Sequence, residues 1–167
     1  MDQSQLLQDL FGRVDDLVVE VLDGLGEDDL AHRPGDGRGN SIGWLVWHLT
    51  RVEDDHLAGA LGGTEAWDEG WRERLGLDLD PGATGYGADD AEVAAVRTTA
   101  DLLRGYHDAV AAKVRAGVEG LDPEALERVV DERWDPPVTL GVRLVSVASD
   151  CLQHLGQAAY VRGLLGR

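Results

Sequence analysis

Apolar residues recur at three- and four-residue spacing in four long stretches, and each stretch predicts an amphipathic helix. The first covers about residues 5–25. Leu6, Leu10, Val14, Leu17, Val18, Val21 and Leu22 form its stripe, Asp15, Asp16 and Glu20 lie off it, and Gly24 and Gly26 close it. The second covers about residues 41–61, with Asn40 and Ser41 both suited to cap it. On its helical wheel Trp44, Leu45, His48, Leu49 and Val52 share one apolar sector, while Thr50, Glu53 and Asp54 face elsewhere. The third covers residues 90–118, with a stripe of Val93, Val96, Ala100, Leu103, His107, Val110 and Val114. The fourth covers residues 139–165.

The intervening stretches break this periodicity. Residues 33–39 are a turn-rich loop, and residues 62–88 are rich in Gly and Pro, with Trp67, Trp71 and Tyr86 interspersed. A segment of that length is either a functional lid or a covering excursion; residues 65–75 fit one short helix. The two tryptophans fit a cover over the end of the helices, or a lining for substrate. Residues 120–137 connect the last two helices, with Val129-Val130 suited to a short extended piece before the stop at Pro136-Pro137. Four helical patterns with little strand signal predict an all-α fold: a four-helix bundle in a single domain spanning residues 1–167, with a long connector between the second and third helices.

Composition narrows the function. The 167 residues are 43% apolar, enough for a real core, and carry a formal net charge of -17. That field repels phosphate backbones and argues against nucleic-acid binding. The single cysteine, Cys151, cannot form an intrachain disulfide. The N-terminus has no secretory pattern and no apolar run suits a bilayer, so a cytoplasmic protein without membrane contact is expected.

The fourth helix carries the candidate chemistry. Ser146, Asp150, Gln153, His154 and Gln157 form a polar stripe opposite Leu144, Val147, Ala148, Cys151, Leu152, Leu155 and Ala159. Polar faces such as Arg51-Glu53-Asp54 and Glu124-Glu127-Arg128 read as solvated and strongly charged; this stripe holds one acid, one imidazole and neutral amides. Only Arg143, two turns back, is spaced to pair with Asp150. Asp150 and His154, four residues apart, project in parallel and can share a cation. His48, in the apolar sector of its own helix, is the strongest candidate for a third ligand. Two histidines and one carboxylate leave coordination positions open, as a catalytic site requires. His56 and Gln157 are candidates for supporting groups. Gly156 costs roughly 1 kcal/mol against alanine inside a helix, which close packing of a neighbouring helix would justify. Cys151 reads as a small buried hydrophobe. His32 and His107 show no partner pattern.

The segments Ile42-Gly43-Trp44-Leu45-Val46-Trp47-His48-Leu49 and His154-Leu155-Gly156-Gln157 together resemble the DinB-like superfamily of bacterial metal-binding helical proteins. More narrowly, the chain is similar to actinobacterial members related to thiol-dependent S-transferases and to the N-terminal domain of mycothiol-dependent maleylpyruvate isomerase. The resemblance covers essentially the whole chain. It implies one histidine ligand from the second helix, matched by His48, and two ligands four apart on the fourth, the last opening a His-x-Gly-Gln signature, matched by His154. Asp150 stands where many members have histidine and the isomerase branch has glutamate.

The expected function is therefore a metal-dependent thiol S-transferase, or an isomerase using the same chemistry. A divalent ion at His48, Asp150 and His154, zinc before nickel or iron, would activate mycothiol or a similar low-molecular-weight thiol for attack on a small electrophile. The rival readings are a non-catalytic, stress-related metal-binding helical protein and, further off, a non-haem iron oxygenase. Apolar faces left over on such a bundle are compatible with a homodimer.

Overall fold

The computed structural model describes residues 1–167, and its helices begin where capping side chains place them. Helix α1 (Gln3–Leu22) starts at Asp2, whose carboxylate accepts from Gln5 N while Gln5 Oε1 accepts from Asp2 N. Its buried face runs through Leu7, Phe11, Val14, Val18 and Val21. Near the N-terminus this is one residue round from the expected stripe: Leu6 is exposed, and Phe11 supplies the large apolar group that fixes the face.

Two short elements that the periodicity did not reveal follow, α2 (Glu27–Ala31) and the single turn α3 (Pro34–Gly37). Acids in the first turn of α2 favour its N-terminus, and Asp29 accepts from Gly26 N. Helix α4 (Ile42–Ala58) is capped by Ser41, which accepts from Trp44 N. It lies close under α2 because Gly43 has no side chain; a Cβ there would sit 3.0 Å from Leu30 O.

The expected third helix is two helices, α6 (Asp90–Ala95) and α7 (Ala100–Val118), preceded by the short α5 (Trp71–Leu75) in the connector. The break falls where Thr99 turns its hydroxyl to cap Leu102 N, a local hydrogen bond that competes with helix continuation. After α8 (Pro123–Leu126), β1 (Val129–Asp131) pairs antiparallel with β2 (Val138–Thr139), so the extended piece expected at Val129-Val130 is present. Thr139 then caps α9 (Leu140–Leu164).

The fold is all-α in its layers: α4 packs against α9 and α7, and α1 packs against α7 and α9, around one continuous apolar core. Cys151 is fully buried in it, and burial pushes its thiol pKa up. On α9 the apolar side is narrower than expected, since Leu152 and Ala159 are exposed. No helix is long and apolar enough to cross a membrane.

Helix α4 departs most from expectation. Arg51, Glu53 and Asp54, read as a solvated face, and Thr50, read as off the apolar sector, are all buried. Partners explain this for all but Glu53, whose carboxylate oxygens have none. Asp54 accepts from Ala66 N (2.9 Å), Trp67 N (2.8 Å) and the Tyr106 hydroxyl (2.9 Å). Arg51 donates to Glu65 and Ala83 O, and its guanidinium lies 4.9 Å from the centre of the Trp67 ring. These groups anchor the long connector. Trp67 is buried against Trp47 and Tyr106 and donates to Pro81 O, and Trp71 is half-buried against Tyr106 and Gly105. The tryptophans thus cover the core, while Tyr86 stands exposed.

Candidate metal centre

His48, on α4, and Asp150 and His154, on α9, come together where these two helices face one another, with one ligand atom from each within 4.8 Å of the others. The pair on α9 meets through its four-residue spacing, with His154 Nε2 3.5 Å from Asp150 Oδ1. The His48 and His154 ring centres are 4.7 Å apart at a steep angle. The Trp44 ring, one turn before His48, stacks on it at 4.6 Å and 15°.

Each imidazole is held by its other nitrogen. His48 Nδ1 lies 2.6 Å from Thr84 O. A carbonyl oxygen only accepts, so Nδ1 carries the proton and Nε2 keeps its lone pair for a ligand. His154 Nδ1 lies 3.2 Å from Gln157 Oε1, which leaves His154 Nε2 directed at Asp150. Backing of this kind orients imidazoles at metal sites and raises their basicity. Thr84 can reach His48 because the next residue, Gly85, adopts φ +90°; a Cβ there would lie 2.5 Å from His48 Nδ1.

The electrostatics at His48 and Asp150 agree with a cation site. Burial lowers the His48 pKa, which favours the neutral ring that binds metal. The approach of His154 to Asp150 lowers the carboxylate's pKa, which keeps it charged for a cation, and raises the imidazole's, so a metal must displace the proton that His154 Nε2 carries in its charged form. Asp150 Oδ2 is a buried oxygen with no hydrogen-bond partner. A buried carboxylate oxygen left unpaired is costly, and a divalent cation satisfies it. Two imidazole nitrogens and one carboxylate oxygen form a donor set suited to zinc and to other first-row divalent ions. The residues therefore fit a metal.

The remaining candidate groups fall out differently. Gln157 touches His154, but His56 is exposed, paired with Asp55 at 3.3 Å, and hydrogen-bonded to none of the three. Arg143 pairs with Asp131 at 2.9 Å rather than with Asp150. Gly156 has no packing role, because a Cβ there would meet nothing within 4 Å. His107, which showed no pattern, is buried, with Nε2 3.1 Å from Asp15 and Nδ1 3.2 Å from Thr50 and 3.9 Å from Glu53. Thr84 was not identified from sequence, because a backbone carbonyl in an aperiodic segment leaves no mark there.

Two histidines and a carboxylate gathered between facing helices put the chain in the class of all-α proteins with a candidate divalent-metal site. Within that class the chain matches, over residues 6–166, the family described as Mycothiol-S-transferase, and it belongs to that DinB-like family. It is also similar to the crystal structure of a conserved protein from Enterococcus faecalis, at 30% identity and a TM-score of 0.89, over 100% of this chain and 99% of that one. Comparison with curated proteins gives no match.

Proposed function

We propose that this protein is a metal-dependent thiol S-transferase that uses mycothiol or a close relative, with His48, Asp150 and His154 as ligands. The observation that carries the reading is the trio itself: the Nε2 atoms of two backed imidazoles and an unpaired Asp150 Oδ2 converge beside half-exposed side chains. A divalent ion held there, zinc by its donor preference, would lower the pKa of a bound thiol and keep it as thiolate near neutral pH.

The chain's own residues supply the rest. Thr84 and Gln157 fix the two rings, and Trp44 keeps the His48 ring from turning. The site opens to solvent along α9, so the thiol proton leaves to water. A new carbon–sulfur bond forms at the electrophile as its leaving group departs, or as an activated double bond accepts the sulfur. Reversible addition of the second kind would support isomerisation.

Metal analysis of protein purified without an affinity tag tests the site. Stoichiometric metal is expected, with loss in the His48→Ala/His154→Ala double variant; a metal-free wild type, or a double variant that retains metal, overturns it. Incubation with mycothiol and a panel of electrophiles then tests the activity. Metal-dependent conjugates are expected, and inactivity of the metal-loaded protein throughout would leave a non-catalytic metal-binding protein. Iron-dependent oxygen uptake would point to an oxygenase.

A further inference from the structure

Beside the metal centre, on the Gln157 side of His154, the N-terminal end of α4 and the second half of α9 enclose a groove of about 450 Å³. Leu45 lies at its base, and Asn40, Gln153, Gln157 and Tyr160 line it. No charged side chain lines it, although 28% of the chain is charged and the net charge is -17. The carboxamides are only partly engaged with the protein. Gln153 Nε2 donates to Ser149, which leaves its Oε1 free. Gln157 Oε1 accepts from His154, which leaves its NH₂ free. Each amide can give and take hydrogen bonds, as a hydroxyl does, and the exposed Tyr160 ring adds an apolar face.

Gly156 is the second observation. It sits inside a 25-residue helix, where glycine is a poor helix former, and it lines this groove between Gln153 and Gln157. Gly43, Gly105, Gly117 and Gly141 are explained by contacts, whereas Gly12 and Gly163, like Gly156, are not; of these three, Gly156 is the one that lines this groove. A Cβ at Gly43 would press on Leu30 O at 3.0 Å, and one at Gly141 on Leu126 O at 3.3 Å. At Gly156 a Cβ would meet nothing within 4 Å. The side chain missing at Gly156 widens the groove without serving any contact within the chain.

We infer that this groove binds the neutral polyhydroxylated part of the thiol cosubstrate and so aims its sulfur at the metal centre. The inference rests on the thiol-transferase reading. Mycothiol suits the groove chemically: its cysteine is amide-linked to a glucosaminyl-inositol, an uncharged polyol. Gln157 joins the two regions, since it lines the groove and holds the His154 ring.

The test uses Gly156→Leu, which fills the groove from open space, and Asn40→Ala, which removes one amide. Calorimetry with a thiol-free N-acetylglucosaminyl-inositol requires neither metal nor activity. It should show binding to wild type and at least tenfold weaker binding to both variants, with metal content and thermal midpoint retained. In the conjugation assay the KM for mycothiol should rise at least tenfold, while the KM for the electrophile stays constant. No fragment binding to wild type, or unchanged affinity and KM in Gly156→Leu, overturns the groove and leaves the transferase reading standing. Fragment binding lost in the variants, with no conjugation by wild type, upholds the groove and sinks the transferase reading instead. If Gly156→Leu only turns a dimer into a monomer, the groove is a contact between copies and the inference falls.

Discussion

Helix α4 carries two polar clusters that are treated in opposite ways. Toward α9 it presents His48, whose Nε2 is left without a protein partner and faces a carboxylate oxygen that is likewise unpaired. Toward α7 and the connector it presents Thr50, Arg51, Glu53 and Asp54, most of whose polar atoms find partners in the chain. Both clusters are largely removed from water. What separates them is whether the hydrogen-bonding capacity is spent within the chain. Spent capacity holds the connector in place; unspent capacity on a half-open surface is where an external ligand gains most. The clusters are also coupled, because the connector anchored by Asp54 and Arg51 carries Thr84 to His48.

The largest expected effect tests the spent cluster. Asp54→Ala leaves two backbone N–H groups and the Tyr106 hydroxyl without their acceptor and exposes Arg51 to an unbalanced environment. It should cost about 3–5 kcal/mol in denaturant unfolding. A loss under about 1 kcal/mol would mean that the connector is not held from α4.

Glu53 is the exception within that cluster, and it sharpens the comparison. It is fully buried, neither carboxylate oxygen has a hydrogen-bond partner, and burial raises its pKa to about 7. Burial opposes charge on His107 too, but its hydrogen bond to Asp15, with the nearby Glu53 charge, outweighs this and raises its pKa. A raised pKa in the folded state means that the native protein binds the proton more tightly than the unfolded chain. The associated stability is full below the ordinary glutamate value of 4.5 and is lost as pH rises through about 7. Glu53→Gln should therefore gain on the order of 2–3 kcal/mol over wild type near pH 8 and almost nothing near pH 4. A pH-independent difference in urea midpoints would show that Glu53 is paired after all.

The smallest expected effect tests the link between the clusters. Gly85→Ala places a Cβ where His48 Nδ1 lies and is strained at φ +90°. The loop must shift and Thr84 O must leave the ring. Metal affinity should fall roughly 10–100-fold in a competitive chelator titration, with the three ligands intact. Unchanged affinity would mean that the connector covers the site without tuning it.

What the chain disclosed in advance follows the same division. Asp150 and His154 were visible because one helical turn brings them together, and His48 because an imidazole stood among apolar neighbours. The polar side of α4 reads as solvated because its partners, Glu65, Trp67 and Tyr106, lie 13 to 52 residues away. Charge in a sequence marks a solvated face only when nothing remote covers it. The break at Thr99 was hidden because Val93, Val96 and Leu103 keep helical spacing across it and all three are buried.

From Ser41 to Asp54 every residue of α4 and its cap is buried except Val52, which is half-buried. Such a segment has no route to local opening, so its amides should exchange with deuterium only when the whole molecule unfolds. His48 is then among the most rigid groups in the protein, fixed before any ligand arrives. In the proposed function, fine adjustment to an incoming ion would fall to α9, whose Asp150 and His154 sit on a half-exposed surface, so variation in geometry among ligands should appear in the exchange rates of that helix and not of α4.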